Sequence, residues 1–433
     1  MSSEWPILPL EDCLDALIDY RGKTPEKTEF GVPLVTAKVI KGGRIETPTE
    51  FIAPEEYDSW MRRGIPLSGD VVMTTEAPLG EVAQLGGEKV ALAQRVITLR
   101  GKAGFLDNAY LLYLFQTEEM QEQLKSRATG TTVLGIKQSE LRKLGIRIPP
   151  FALQRSATGV LKALDDRITL LRETNATLEA IAQALFKSWF VDFDPVHAKQ
   201  AGRAPEGMDE ATAALFPDEF EESELGAVPR GWRVGSLSDL SVLNPESWSA
   251  KSHPETLAYV DLANTKDNVI AEISEFSFDE APSRARRVLR DGDTIVGTVR
   301  PGNRSFAFVS NAGSNLTGST GFAVLRPLQK ENTEFVYLTA TAEGNIEYLA
   351  HVADGGAYPA VRPEVVSGLQ CVVPDAGVLQ AFHEVAEPVF ARVAANHQQA
   401  QTLATLRDTL LPRLISGQLR LPEAEAMVAT AGE

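Results

Sequence analysis

The sequence predicts an α+β protein in which two pseudo-symmetric mixed α/β domains are joined by two long helices forming an antiparallel coiled coil. Three observations support this prediction: an internal repeat, an apolar seam in each of two helical segments, and an acidic segment between the two copies. The chain has 433 residues, of which 43% are hydrophobic and 23% are charged. This composition is ordinary for a globular protein, and the length is sufficient for several cores.

The same pattern of residues occurs twice along the chain. The matched positions are Trp5 and Trp232, Gly69 and Gly292, Pro78 and Pro301, Gly130 and Gly355, Ile148 and Val373, and Thr177 and Thr402. Their offsets all lie between 223 and 227 residues. Coincidental spacing of glycine and proline would not keep so constant an offset, so the two copies are expected to share one architecture.

Each copy begins with a mixed unit of short β-like runs, followed by a helix. Runs rich in Val, Ile, Thr and Phe and bounded by Gly or Pro predict strands. The predicted strands are 32–39, 70–75 and 90–99 in the first copy, and 257–262, 293–299, 306–309 and 321–325 in the second. The helices are expected over 108–127 and 334–349.

A long helix ends each copy, because apolar residues recur there at steps of three, four and seven. The predicted coiled-coil seam consists of Leu164, Ile168, Leu171, Asn175, Leu178 and Leu185 in the first helix, and Val389, Val393, Asn396, Leu403, Leu406 and Leu410 in the second. The shared register favours packing of the helices on each other over packing on two separate cores. Pro412 predicts that the second helix kinks or ends near Leu411.

Two of the seam residues are asparagines, Asn175 and Asn396. In an antiparallel pair whose pseudo-dyad passes near residue 173, the offset of the repeat brings the two amides face to face. A buried asparagine pair can fix the register of a coiled coil at some cost in stability. We therefore expect these two side chains to meet inside the helix pair.

These features divide the chain into six segments. The predicted segments are a first mixed domain over 1–152, its helix over 153–190, an acidic connector over 191–230, a second mixed domain over 231–377, its helix over 378–418, and a flexible tail over 419–433. The connector is rich in Asp and Glu and contains Pro and Gly, which is typical of an exposed linker.

The net charge of −17 is opposite in sign to the basic footprint of most DNA-binding proteins. The acidity is densest in the connector, and screening over about 8–10 Å makes local patches more important than the total. The charge therefore does not exclude a nucleic-acid partner. It suggests that partner subunits supply part of the phosphate contacts.

The chain carries no sign of membrane insertion or export. No apolar stretch approaches the roughly 20 residues needed to span a bilayer. The N-terminal residues are acidic and interrupted by proline, unlike a signal peptide. Cys13 and Cys371 both lie in apolar surroundings; they could form one disulfide, but buried thiols in a reducing cytoplasm are the preferred interpretation.

Several segments resemble the DNA specificity subunits of type I restriction–modification systems. They are DYRGKTPEKTEFGVPLVTAKVIKGGRI at 19–45, TGTTVLGIKQSEL at 129–141, LFKSWFVDFDPVHAK at 185–199, GMDEATAALFPDEFEESELGAVPRGW at 207–232 and LRDTLLPRLISGQL at 406–419. The resemblance covers nearly the whole chain. The second copy has Asp354-Gly355-Gly356 in place of the TGTT loop, as expected if its domain reads a different DNA sequence.

The resemblance implies that each mixed unit is a target-recognition domain that reads one half of a bipartite DNA site, with the helices setting the spacing. It also implies a cytoplasmic bacterial or archaeal complex with two modification subunits and two restriction subunits, acting in phage defence. S-adenosylmethionine is then expected in the modification (methyltransferase) subunits, and ATP and Mg in the restriction (nuclease and translocase) subunits. No cofactor or metal is expected in this chain.

Basic and hydroxyl-bearing residues of the strands and loops are the candidates for DNA contacts. They are Arg21, Lys23, Lys38, Lys41, Arg44, Arg127, Thr129, Thr131, Thr132 and Lys137 in the first copy, and Arg284, Arg286, Arg287, Arg300, Arg304 and Arg362 in the second. The alternative for the arginine cluster, which also includes Arg290, is a solvated face paired with neighbouring carboxylates. Trp189, Phe190 and Phe193 form an apolar run that is either a docking site for a partner subunit or part of a core.

The sequence contains no convincing catalytic motif. Gly22-Lys23-Thr24 lacks the earlier glycine of a phosphate loop, and Ile148 stands where an amino-methyltransferase motif needs Asn or Asp. The five histidines have no metal-ligand spacing. The sequence thus predicts a non-catalytic subunit. The alternatives are a specificity module of another DNA modification or defence complex, a stand-alone methyltransferase or nuclease, and a coiled-coil scaffold that does not read DNA.

Overall fold

The structure, a computed structural model, describes residues 5–20 and 24–431. It contains two compact units. Unit 1 comprises Met1–Leu170 and Gln399–Glu433, and unit 2 comprises Leu171–Gln398. Each unit contains one mixed domain and parts of both long helices.

Unit 1 is built on mostly antiparallel strands. In its described residues, the main sheet has the strand order Leu14–Asp19, Val96–Gly101, Val71–Thr75 and Leu79–Gln84. A second sheet has the order Phe51–Ile52, Val32–Val35 and Ala91–Leu92, and its last pair is parallel. Ile7–Pro9 pairs with Gly145–Arg147, and Ile40–Lys41 pairs with Arg44–Ile45. The aliphatic core includes Leu34, Ile52, Val72 and Val96.

Unit 1 contains several helices, and side chains cap the N-termini of Asn108–Gln116 and Glu118–Arg127. The helices are Leu10–Cys13, Tyr57–Trp60, Asn108–Gln116, Glu118–Arg127, Gln138–Leu141 and Leu421–Ala431, with a 3-10 turn at Pro54–Glu56. The sequence predicts one helix over 108–127, but the structure splits it at Thr117. The Thr117 hydroxyl accepts a hydrogen bond from the backbone N–H of Met120, so this residue caps a new helix.

Unit 2 contains two four-stranded sheets. Among its described residues, the first has the order Ser241–Leu243, Phe322–Pro327, Thr294–Gly297 and Phe306–Phe308. The second has the order Ser274–Ser277, Thr256–Val260, Leu316–Ser319 and Ala285–Val288, and its middle pair is parallel. The ribbons are Arg233–Ser236 with Gln370–Val373, Thr265–Lys266 with Val269–Ile270, and Phe220–Ser223 with Gly226–Pro229.

Some helices of unit 2 repeat those of unit 1: Thr333–Thr341, Glu343–Val352 and Pro363–Ser367 correspond to Asn108–Gln116, Glu118–Arg127 and Gln138–Leu141. The helices of unit 2 are Asp194–Gln200, Glu210–Leu215, Thr333–Thr341, Glu343–Val352 and Pro363–Ser367, with 3-10 turns at Leu237–Asp239, Pro301–Asn303 and Lys330–Asn332. The helix predicted over 334–349 is again two helices. The core is strongly aromatic and includes Phe186, Trp189, Phe335 and Phe382.

The repeat predicted from the sequence is a repeat of architecture. The register of the parallel pair shows this: Leu34 lies opposite Ala91 in unit 1, and Ala258 lies opposite Leu316 in unit 2. From unit 1 to unit 2, the first residue of this pair shifts by 224 positions along the chain and the second by 225. The main sheets have the same strand order in both units.

A buried carboxylate is held in the same way in both units. In unit 1, Arg100 donates two hydrogen bonds of 2.7 Å to the two oxygens of Asp70. In unit 2, Arg326 donates to the two oxygens of Asp293 at 2.8 and 2.9 Å. Each carboxylate also accepts a backbone N–H at 2.8 Å, from Leu67 or Arg290. The Gly-Asp pairs that reveal the repeat in the sequence therefore mark a repeated ion pair.

The two long helices are Phe151–Phe190 and Ala376–Ile415. Within unit 2 they run antiparallel, because Asn175 bonds Asn396 while the rings of Phe190 and Phe382 lie 4.9 Å apart. Within unit 1, Arg407 donates to Asp165 at 2.7 Å. In each of these three pairs the residue numbers add to 571 or 572, as a single antiparallel register requires.

Most seam positions are buried and a few are partly covered. Buried positions are Leu164, Ile168, Leu171, Asn175, Val393, Asn396, Leu403 and Leu410. Partly buried positions are Leu178, Leu185, Val389 and Leu406. Ile181 fits the spacing but is exposed, and the adjacent Ala182 is buried in its place. A small side chain there lets the helix approach its neighbours closely.

The two seam asparagines meet as the repeat predicts. The Asn396 amide donates to the Asn175 carbonyl at 2.8 Å, and the Asn175 amide donates to the backbone carbonyl of Val393 at 3.1 Å. Both side chains are almost fully buried. Since a buried amide without a partner is costly, this pair favours one helix register over its alternatives.

Replacing Asn396 alone with leucine is expected to lower the free energy of unfolding by about 1–3 kcal/mol, because the Asn175 amide loses a partner in a dry seam. The double replacement of Asn175 and Asn396 with leucine should recover much of this loss. Urea denaturation of the two variants and the parent measures the difference. A single variant as stable as the parent would contradict the interpretation.

Two expectations about the C-terminal part of the chain are wrong. The second long helix continues through Pro412 to Ile415, and it also contains Pro388. Both prolines are exposed on the outside of the helix, where water can hydrogen-bond the freed carbonyls. The expected flexible tail contains the helix Leu421–Ala431, in which Ala424 is buried.

The acidic connector is a folded segment of unit 2 and not a plain exposed linker. It contains two short helices and a β-hairpin. Val196, Phe216 and Val228 are buried in it. The Phe216 ring lies 5.1 Å from the Trp189 ring, edge to face. The few apolar side chains among the acidic residues thus attach the connector to the aromatic core.

Candidate nucleic-acid interface

Two exposed loops occupy equivalent positions in the two units. Loop A is residues 129–135 in unit 1, and loop B is residues 354–360 in unit 2. In loop A, Thr129 and Gly135 exchange two backbone hydrogen bonds of 2.9 Å. In loop B, Asp354 and Ala360 exchange bonds of 3.1 and 2.8 Å. Both loops have the same length and are closed in the same way.

Each loop is fixed to the end of a sheet strand. After loop A, the Ile136 N–H donates to the Thr75 carbonyl at 3.0 Å. After loop B, the Val361 N–H donates to the Thr298 carbonyl at 2.9 Å. Exposed loops anchored on a rigid sheet are common sites of binding.

Left-handed backbone conformations recur at the same places in both units. Gly130 and Gly355 have φ of +117° and +121°. A Cβ on Gly130 would lie 2.1 Å from the Val133 carbonyl oxygen, so the loop requires glycine there. Ala77 and Arg300, which lie beside the loops, have φ of 50° and 48°. For a non-glycine residue this conformation costs about 1–2 kcal/mol, and strain of this kind clusters at functional sites.

A basic residue follows each loop at the same position of the repeat. Lys137 follows loop A and Arg362 follows loop B, 225 positions later. Both side chains are exposed, and both residues immediately precede a short helix. The two units therefore place one cation each beside an exposed loop.

Arg300 is bound to loop B by its backbone and its side chain. Its N–H donates to the Pro359 carbonyl at 2.7 Å, and its guanidinium donates to the Ala357 carbonyl at 2.7 Å. The guanidinium lies over the Tyr358 ring, 4.9 Å from its centroid. The sequence prediction includes Arg300 but misses Tyr358, whose side chain is 71% exposed. Equal loop length between matched anchors is the signal that could have found it.

The arginine cluster of the second copy does not form one open basic face. Arg304 pairs with Asp267 and Glu343, which makes it a weaker candidate for a DNA contact. Arg290 pairs with Glu246 at 3.1 Å. For these two residues the alternative of carboxylate pairing is the correct one.

The remaining arginines of the cluster differ in accessibility. Arg284 is exposed. Arg286 is half-buried, with its guanidinium 5.0 Å from the centroid of the Phe278 ring. Arg287 is half-buried, donates to Ser247 at 3.3 Å, and burial lowers the pKa of its guanidinium. Of these three, Arg284 is placed best to reach a partner.

In the first copy, the candidate residues are mostly exposed. Lys38 lies 3.8 Å from Glu50, Lys41 pairs with Glu46 at 3.0 Å, and Arg44 is exposed. Thr129, Thr131 and Thr132 are exposed on loop A. Arg21 and Lys23 lie outside the described residues.

Arg127 is engaged by a carboxylate. It lies 3.5 Å from Glu140, which also binds Lys143 at 2.8 Å. Lys143 and Arg127 together hold the pKa of Glu140 below its usual range. Since this carboxylate is shared, Arg127 is a weaker candidate than Lys137.

The aromatic run at the end of the first long helix is part of the core of unit 2. Trp189 and Phe190 are buried, and the Phe190 ring lies within 5.0 Å of the rings of Phe335 and Phe382. Phe193 is half-buried against Phe220 and Trp232. The proposed docking role of Trp189 and Phe190 is therefore wrong, because their surfaces are already covered.

Among residues 5–20 and 24–431, no group of three or more His, Cys, Asp and Glu side chains is arranged to hold a metal ion. No helix in this part of the chain is both long and apolar enough to cross a membrane.

Comparison with known proteins gives a consistent result. The type I restriction modification DNA specificity domain matches residues 21–180. The type I restriction enzyme MjaIX specificity subunit of Methanocaldococcus jannaschii is 27% identical over 362 residues, which cover 82% of this chain and 78% of that protein. The type I restriction enzyme HindI specificity subunit of Haemophilus influenzae is 24% identical, over 77% of this chain and 82% of that protein. Over most of its length, the chain is therefore similar to type I restriction enzyme specificity subunits.

A solved structure has a similar fold. The crystal structure of a type I restriction–modification S subunit from M. genitalium superimposes with a TM-score of 0.56, covering 95% of this chain and 96% of that one, at 15% identity. A mixed α/β architecture with two long helices in contact is thus common to both. Loops A and B are exposed elements that the repeat places at equivalent positions.

Proposed function

We propose that this chain is the DNA-recognition subunit of a type I restriction–modification complex, and that each unit reads one half of a bipartite target. The observation that carries the proposal is the pair of matched loops, which share one hydrogen-bond framework but expose different side chains. Two loops with the same framework and different exposed side chains suit a DNA target whose two halves differ in sequence. Similarity to type I restriction enzyme specificity subunits supports the same function.

The antiparallel helix pair supports a fixed gap between the two half-sites. Readers joined by a rigid element engage duplex DNA at a set number of helical turns, about 10–10.5 bp each. The pseudo-symmetric frame suits two identical partner subunits, since a repeated surface binds the same partner twice. The partners would be two modification subunits, which bind S-adenosylmethionine and methylate adenine, and two restriction subunits, which use ATP and Mg.

Within this proposal the chain contributes recognition and positioning, and no catalytic group. Its arginines and lysines would supply part of the phosphate contacts, and the partners the rest, consistent with the net charge of −17. The candidates that remain exposed are Lys38, Lys41, Arg44, Thr129, Thr131, Thr132, Lys137, Arg284, Arg300 and Arg362.

Exchanging residues 1–150 for the same segment of a relative with another target is expected to change one half of the methylated motif. The chain and its modification subunit would be co-expressed, and methylated adenines mapped across the host genome. The parent should give a bipartite motif with a fixed gap. The chain expressed without partners, as the control, should methylate nothing, and a swap that changed both halves would contradict the modular arrangement.

A further inference from the structure

Loops A and B combine an invariant framework with a variable tip. The framework is the closing hydrogen-bond pair, the left-handed glycine and the bond to the sheet strand, and it recurs at equivalent positions. The tips have nothing in common: loop A has Thr131-Thr132-Val133-Leu134, and loop B has Gly356-Ala357-Tyr358-Pro359. A retained framework with a changed tip is what two readers of different sequences would have.

The tips expose side chains that are unfavourable in water. In loop A, Val133 is 52% exposed and Leu134 is 42% exposed. In loop B, Tyr358 has most of its ring in solvent. Neighbouring exposed apolar groups on a loop mark a contact surface.

The basic residues beside the loops, unlike the loop tips, keep their chemical character in both copies. Lys137 and Arg362 keep both their position in the repeat and their positive charge. A charge that is constant between the copies suits the part of DNA that is constant, the phosphate backbone. Side chains that differ suit the base edges, which carry the sequence.

On these grounds, and resting on the proposed function, we propose that loops A and B are the base-reading tips of the two units and that Lys137 and Arg362 are matched phosphate anchors. Loop A offers hydroxyls and methyl groups, which suit the methyl group of thymine and nearby base edges. Loop B presents the Arg300 guanidinium. Arginine in this role pairs with the O6 and N7 atoms of guanine.

Arg300 is prepared for this contact. Its bond to the Ala357 carbonyl and its stacking on Tyr358 restrict the guanidinium before any partner binds. A restricted side chain loses less conformational entropy on binding. Tyr358 is thus a positioning residue for Arg300 as well as part of the exposed tip.

The decisive experiment transplants one tip. Residues 131–134 would be replaced by residues 356–359 in the full chain, co-expressed with the modification subunit, and the methylated motif mapped. The half-site read by unit 1 is expected to change while the other half and the gap stay the same. The unchanged half shows that the variant folds and assembles.

Single substitutions distinguish recognition of bases from contact with phosphates. Arg300→Ala should relax the preference for one G·C pair about ten- to hundred-fold and leave the other half-site unaltered. Lys137→Ala and Arg362→Ala should keep the motif but weaken DNA binding by the complex. Each should reduce the slope of log affinity against log salt by about 0.9. Lys125→Ala, an exposed lysine of the same unit, is the matched control and should change neither.

The outcomes distinguish this inference from the function on which it rests. A parent complex without a bipartite motif would overturn the proposed function itself. A parent with such a motif, whose tip transplant leaves both halves unchanged, would overturn only the assignment of the loops. A change of motif in Lys137→Ala would show that this residue reads bases and is not an anchor.

Discussion

Replacing Asp293 with alanine is expected to lower the free energy of unfolding by about 3–5 kcal/mol. Asp293 has no exposed surface and accepts two hydrogen bonds from Arg326. Its removal deprives the Arg326 guanidinium, which is 22% exposed and still pairs with Glu246, of its bidentate partner. It also leaves the backbone N–H of Arg290 without its acceptor. Urea denaturation measures the loss, and hydrogen exchange locates it in unit 2.

A control variant distinguishes loss of this ion pair from a general effect of lost charge. Asp279→Ala removes an exposed aspartate from the same unit and should change stability by no more than about 0.5 kcal/mol. The double variant Asp293→Ala/Arg326→Met removes both charges and should regain part of the loss. If Asp293→Ala were as stable as Asp279→Ala, the ion pair would not be a structural element.

Replacing Phe190 with alanine is expected to destabilise unit 2 by about 3–5 kcal/mol. The ring is 5% exposed and packs against Phe335 and Phe382. A cavity of this size in an aromatic core cannot be filled by small shifts of the neighbours. Thermal and urea denaturation measure the effect.

The same substitution decides between core packing and partner docking. A docking residue would leave the isolated chain stable and weaken only its complex with a partner subunit. Ile181→Ala, at a side chain 53% exposed on the same helix, is the matched control and should be nearly neutral. A Phe190→Ala chain of unchanged stability with weakened partner binding would restore the docking interpretation.

The features that the sequence predicts correctly are those encoded by local periodicity or by the repeat itself. The seam of the long helices follows from apolar spacing alone, and the meeting of Asn175 and Asn396 follows from the offset. Strands such as Val71–Thr75 and Thr294–Gly297 are nearly continuous apolar runs, which are recognisable without knowing their neighbours.

Features that depend on partners distant in sequence could not be predicted. The strand Ala285–Val288 has two arginines at its centre and resembles a loop, yet it is fixed by pairing with Leu316–Ser319. Arg304 reaches carboxylates 37 and 39 residues away. No local pattern shows such a pairing, so the arginine cluster looked more basic than it is.

For the same reason, only part of the candidate site could be predicted from the sequence. The sequence identified Thr131, Lys137, Arg300 and Arg362 by residue type. It matched Gly130 with Gly355, but it took Asp354-Gly355-Gly356 only as a replacement for the TGTT loop. The likeness of the two loops lies in backbone bonds and a left-handed glycine, which constrain few side chains.

The arrangement of the seam asparagines has a consequence for self-association. Asn175 and Asn396 are not repeat equivalents: 175 + 225 gives Ala400, and 396 − 225 gives Leu171. If two copies of the first helix paired in the observed register, each Asn175 would face a leucine; in two copies of the second, each Asn396 would face an alanine. The two amides meet only when the first long helix pairs with the second. The asparagines therefore disfavour pairing of either helix with a second copy of itself.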